Sequence, residues 1–119
     1  MERAVPILPA DDLEAARVFY VDGLGFRVTF LASEDGHTGL MGLDRGTLEL
    51  TIDSPMSGHG RQACAALHVD DADACYRAWS ARVQVDQRPR DEAWGARTFG
   101  LQDPSGNTLF VIGPLRNGE

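Results

Sequence analysis

The chain has 119 residues, 18 of them acidic against 11 basic, for a net charge of −7. That length fits one domain whose core needs no staple, and the acidic balance argues against nucleic acid, whose phosphates are held by Lys/Arg surfaces. The charge leaves two readings, a surface that favours cationic small molecules or one that only keeps the protein soluble.

Ala4 to Leu8 predicts a short strand ended by Pro9. Asp11 or Asp12 then caps a helix; Asp11 with Glu14 has capping-box spacing. Leu13, Ala16, Phe19 and Tyr20 recur at helical spacing and form its inward face. Asp22-Gly23-Leu24-Gly25 stops it. Phe26 to Leu31 alternates as a strand, Ser33-Glu34-Asp35-Gly36 is a polar turn, and Gly39 to Leu43 is the next strand. Asp44-Arg45-Gly46 predicts a hairpin turn into Thr47 to Ile52. Ser54 to Gly60 is small and flexible in composition and divides the chain near its midpoint.

Beyond that linker the order repeats. Ala63 to Val69 predicts a strand, Asp70 or Asp71 caps a second helix with Ala72, Cys75 and Trp79 inward, and Val83 to Val85 begins a strand. Gln87 to Glu92 reads as a charged loop. Asp11-Asp12 matches Asp70-Asp71 at an offset of 59, and Thr47-Leu48 matches Thr108-Leu109 at 61. A duplicated unit of about 50 residues, too small to bury its apolar face alone, implies paired sheets with a cleft. The reading is therefore an α+β protein of two tandem β-α-β-β-β modules, residues 1–53 and 63–119 joined by a linker at 54–62, in a single domain with a curled mixed sheet.

The residues that chemistry would use are sparse. Cys64 and Cys75 lack Cys-x-x-Cys spacing and are expected as reduced, buried, small hydrophobes. His37, His59 and His68 fall in two loops and at a strand end, none at the i, i+4 spacing of a zinc motif. There is no phosphate loop, nucleophile elbow or dinucleotide fingerprint. No apolar run approaches the roughly 20 residues that span a bilayer, and no leader pattern opens the chain. A cytoplasmic protein with no membrane contact is expected.

The most specific stretch is Trp94 to Ile112, WGARTFGLQDPSGNTLFVI. Arg97 to Leu101 is a strand, Asp103-Pro104-Ser105-Gly106-Asn107 supplies a side-chain acceptor, a fixed φ and a glycine free to take positive φ, and Thr108 to Ile112 returns as a strand. Trp94 stands at the mouth of this hairpin with Gly95 beside it. Its ring either covers the sheet or stacks on a ligand. An aromatic-Gly-x-Arg strand followed by Asp-Pro-x-Gly-Asn and an apolar strand resembles the closing hairpin of the glyoxalase/bleomycin-resistance/extradiol-dioxygenase superfamily. The opening AVPILPADDLEAARVFYVDGLGF is similar to the bleomycin-binding branch.

That resemblance implies a metal-site geometry and its loss. The superfamily's enzymes take one ligand from the first and one from the last strand of each module, positions that fall on Val5, Glu49, Cys64 and Phe110. Valine and phenylalanine cannot ligate, and one carboxylate with one thiol falls short of a catalytic zinc set. No metal, no other cofactor and no catalytic residue are therefore expected. The branch it resembles implies a homodimer with exchanged N-terminal strands, Pro6 matching the proline of that strand. It also implies an antibiotic or aromatic metabolite stacked on flat rings between subunits. Trp94 matches its stacking tryptophan, His37 falls near its second stacking aromatic, and Ala66 replaces a tryptophan. The candidate ligand-binding residues are Trp94, His37, Phe30, Glu49, Phe99 and Phe110. Each phenylalanine can equally be core, and Arg97 can pair with Glu49 or Asp53. The function implied is sequestration of a bleomycin-like antibiotic; alternatives are an enzyme with a non-standard metal site and a binder of another aromatic metabolite.

Overall fold

The computed structural model describes residues 2–55 and 62–116. Two four-stranded mixed sheets make up the protein. The first contains β1 (Ile7–Pro9), β2 (Arg27–Ala32), β3 (Gly39–Arg45) and β4 (Leu48–Ser54) in the order β1-β4-β3-β2. The second repeats it with β5 (Cys64–His68), β6 (Arg90–Asp91), β7 (Ala96–Gln102) and β8 (Thr108–Pro114) in the order β5-β8-β7-β6. In each, the first strand runs parallel to the last and the remaining pairs are antiparallel. This is the tandem β-α-β-β-β architecture expected from the repeat.

Helix α1 (Leu13–Arg17) begins at Asp12, whose carboxylate accepts the Ala15 N–H at 3.0 Å. Asp12 and not Asp11 is the N-cap, so Glu14 stands at the second helical position, out of capping-box register, and pairs with Arg17 at 2.8 Å. The helix widens into a π-helical turn over Val18–Gly23. Helix α2 (Ala72–Ser80) is capped in the same way by Asp71. No helix among the described residues is long and apolar enough to cross a membrane.

Several boundaries differ from the sequence reading. The first strand is confined to Ile7–Pro9 rather than Ala4 to Leu8. Asp44 and Arg45 remain in β3, so the β3–β4 hairpin turns on Gly46 and Thr47, with Gly46 at φ +63. No strand forms at Val83 to Val85, although both valines pack against the core; the pairing falls instead at Arg90–Asp91, inside the expected charged loop, where the chain lies alongside β7. Residues 56–61 of the linker, His59 among them, lie outside the described residues. Of the cysteines, Cys75 is buried but Cys64 is exposed, because alternation on β5 turns it away from the core.

One apolar core serves both modules. Tyr20, Phe26 and Ile52 from the first meet Trp79, Phe99 and Val111 from the second within one cluster. Polar side chains buried at the joint fix its geometry. Tyr20 Oη donates to Asp103 Oδ2 at 2.7 Å, Trp79 Nε1 to the Leu24 carbonyl at 3.0 Å and Asn107 Nδ2 to the Pro9 carbonyl at 2.7 Å. Burial first, then the Asp103 charge, pushes the Tyr20 hydroxyl's pKa far up, so it stays a donor.

Candidate functional site

The helices pack on one face of the sheets, and alternation along the strands leaves an outer face on each. On the first sheet Phe30, Gly42, Thr51 and Ile7 stand in one row. A Cβ at Gly42 would collide with the Phe30 ring, so the ring lies against that glycine, and 47% of Phe30 remains exposed. Glu49 shares this face and is held by Arg3 Nε at 2.9 Å. On the second sheet Ala66, Phe110 and Gly100 form the corresponding row. Phe110 thus has a small residue on either side. Beside it opens a recess of about 320 Å³ lined by Asp86, Gln87, Gly100, Gln102 and Thr108.

Trp94 is no core residue. It sits in the turn between β6 and β7, closed by the Gly95 N–H donating to the Glu92 carbonyl at 3.1 Å, and it is 62% exposed. Gly95 takes φ +103 there, a left-handed backbone that suits glycine. The tryptophan ring and Phe110 therefore belong to the same sheet, and Phe30 and Glu49 to the other.

Two candidates lie elsewhere. Phe99 pairs in register with Val111 on the inner face, is 1% exposed and packs edge-on against Tyr76 and Trp79, so it is core. His37 stands at the N-terminus of α1, where its Nδ1 meets Asp12 Oδ1 at 2.7 Å and its carbonyl accepts the Leu13 N–H. The loop around it is organised by Asp35, held at a pKa of about 2 by the backbone N–H groups of Thr38 and His37. Arg97 pairs with neither Glu49 nor Asp53; it forms a two-pronged bridge to Asp73 at 2.9 and 3.1 Å, because it faces α2.

The Asp12 hydrogen bond raises the His37 pKa, and the same bond lowers that of Asp12. The raised histidine favours folding below its unfolded value of about 6.5, and that contribution is lost as pH rises through the folded one. The lowered aspartate favours folding above about 4 and loses its part as pH falls through the folded value. An NMR titration is expected to give His37 a midpoint above 6.5 that returns toward it in Asp12→Asn. Both groups are solvated, so the effect on stability is small.

Residues 3–111 match the Glyoxalase/Bleomycin resistance protein/Dioxygenase superfamily. The chain belongs to this superfamily. A bleomycin resistance determinant encoded on the transposon Tn5 shares its fold at a TM-score of 0.79 and 27% identity, over 96% of this chain and 98% of that one. A bleomycin-binding protein from bleomycin-producing Streptomyces verticillus, solved with copper(II)-bleomycin, gives 0.77 and 28% over 97% and 98%. A lactoylglutathione lyase from Agrobacterium tumefaciens, at 0.72 and 23% over 95% and 94%, shares the fold alone. No curated protein matches by sequence.

Superfamily enzymes imply a divalent metal, and the donors here do not fit one. Of the four corresponding positions, Val5 and Phe110 have no side-chain donor atom and Glu49 is engaged by Arg3, which leaves the Cys64 thiol short of the three ligands of a catalytic site. Among the described residues no three His, Cys, Asp or Glu side chains converge as a ligand set. Sequence reasoning passed over Glu92, which shares the turn of Trp94. Hydrogen bonds from Thr98 and then Arg90 hold its carboxyl below the usual range. Its only signal was membership of a charged loop.

Proposed function

We propose that the protein binds a flat, bleomycin-like antibiotic and neutralises it by sequestration, with no bond made or broken. The observation that carries this is the 62% exposure of Trp94, a large ring on the turn at one end of an aromatic-bearing sheet. Exposed aromatics on ordered turns are suited to stacking on planar ligands. Identity of 27–28% to bleomycin-binding and bleomycin-resistance proteins over nearly equal lengths supports the same reading.

The working unit in this reading is a homodimer in which Phe30 of one subunit and Trp94 of the other flank a shared groove; the expected exchange of N-terminal strands would replace the pairing of β1 with β4 of its own chain. Its support is β2, an edge strand exposed along its whole length, with Val28 and Leu31 on one face and Phe30 on the other. Such an edge favours a partner.

Bleomycin titrated into metal-free protein is expected to quench tryptophan emission saturably at about one ligand per subunit. Trp79 is 1% exposed, so the change reports on Trp94. Absence of binding at micromolar ligand would remove bleomycin and, given the space that Ala66 leaves beside Phe110, direct the search to other aromatic compounds. Stoichiometric nickel, zinc, manganese or iron in the purified protein would overturn sequestration in favour of a metalloenzyme.

A further inference from the structure

We propose that Glu92 is the polar anchor of the Trp94 site, accepting an N–H hydrogen bond from a flat ligand stacked on the indole. The proposal rests on the reading of Trp94 given above. The two residues share one β-turn, with Glu92 at its first position, Trp94 at its third and Gly95 closing it by a bond of 3.1 Å to the Glu92 carbonyl. Such a turn keeps its end Cα atoms within about 7 Å, so carboxylate and ring rise from one corner.

The carboxylate is fixed but only half used. Thr98 Oγ1 donates to Glu92 Oε2 at 2.6 Å, and Arg90 Nε donates to the same oxygen at 3.2 Å. Oε1 receives no hydrogen bond among the described residues, although an ionised carboxylate has acceptor sites on both oxygens. Thr98 is 2% exposed and cannot drift, while the Glu92 side chain keeps 20% exposure. Register places Thr98 between Arg90 and Ile112 on the outer face, the face that carries Phe110. A held acceptor with one oxygen free of hydrogen bonds among the described residues therefore belongs to the same turn as the tryptophan.

The chemistry of the pair sets the class of ligand. Arg90 offsets the charge of Glu92 from a side chain 69% exposed, so the corner does not select by net charge. It selects by hydrogen bonding: an aromatic ligand carrying an amine or amide N–H satisfies Oε1, and an acceptor-only ligand of the same shape leaves it desolvated and unpaired.

2,3-Diaminophenazine, a flat tricycle with two amino groups that is neutral near pH 7, and phenazine, the same ring system with acceptors only, serve as calorimetric probes beside bleomycin. In Glu92→Gln the amide still accepts from Thr98 but turns its N–H₂ toward the ligand. 2,3-Diaminophenazine and bleomycin are expected to weaken about tenfold, whereas phenazine, whose ring nitrogens accept from that N–H₂, is expected to bind at least as tightly as to the wild type. Thr98→Val, which frees the carboxylate to swing, is expected to give part of that loss. Probe binding that is abolished by Trp94→Ala but unaltered by Glu92→Gln overturns the anchor and leaves the Trp94 site standing. No saturable binding of any probe by the wild-type protein overturns both.

Discussion

Trp94→Ala is expected to weaken bleomycin binding by about 2 kcal/mol or more, roughly thirtyfold in Kd, while the unfolding transition stays where it was. The two halves of that expectation have separate physical grounds. Stacking contributes on the order of 0.5–1.5 kcal/mol beyond area burial, and the indole face removes further apolar surface from water when a ligand covers it. The free protein, by contrast, already leaves 62% of this residue in solvent, and the turn beneath it is held by backbone bonds and Gly95 rather than by the ring. Surface changes of that kind move stability within about 0.5 kcal/mol. Trp94→Phe should recover part of the affinity, since a smaller ring still stacks. Calorimetry with a parallel thermal melt checks both halves; unchanged affinity in the alanine variant would sink the assignment of the ring to the ligand.

The contrast between Trp94 and Phe99 explains how far the sequence could be read. The alternation along Arg97 to Leu101 identified a strand, but alternation alone does not say which of its two sets faces the helices. Register decides it: Phe99 lies opposite Val111 and goes inward, while Phe110 lies opposite Gly100 and goes outward. The order of elements was legible because each helix carries its own Asp cap and each module ends in the same antiparallel pair. Ion-pair choice was not legible, since Arg97 chose Asp73 through the crossing of α2 over β7, a tertiary event without local signal. Glu92 escaped notice for a related reason. Its role depends on Thr98, six residues on and across a strand pair, and in the sequence it is one charge among several.

Asn107 shows the same limit and carries the largest expected effect on stability. In the sequence it completes a turn, Asp-Pro-Ser-Gly-Asn; in the folded chain it bolts the modules together. Its Nδ2 donates to the Pro9 carbonyl of the first module at 2.7 Å and to Asp103 Oδ2 at 2.8 Å, and its Oδ1 accepts the Ala63 N–H at 2.8 Å, just ahead of β5. The side chain is fully buried. Asn107→Ala strips partners from the part-buried Pro9 carbonyl and Ala63 N–H and from the buried Asp103 carboxylate at once. Each group left unsatisfied costs about 1–3 kcal/mol, less where Asp103 keeps Tyr20 and its turn N–H donors. A loss of about 3–4 kcal/mol follows, or a fall in Tm on the order of 10 °C for a domain of this size. Tyr20→Phe, which removes one of the several donors to Asp103 and orphans nothing else, should cost only about 1 kcal/mol. Thermal and urea melts of the two variants test the ranking. Equal losses would mean that the Tyr20 contact and not the Asn107 bolt sets the joint, because it is the Asn107 side chain, not Tyr20, that ties the closing hairpin to both the Pro9 carbonyl and the Ala63 N–H.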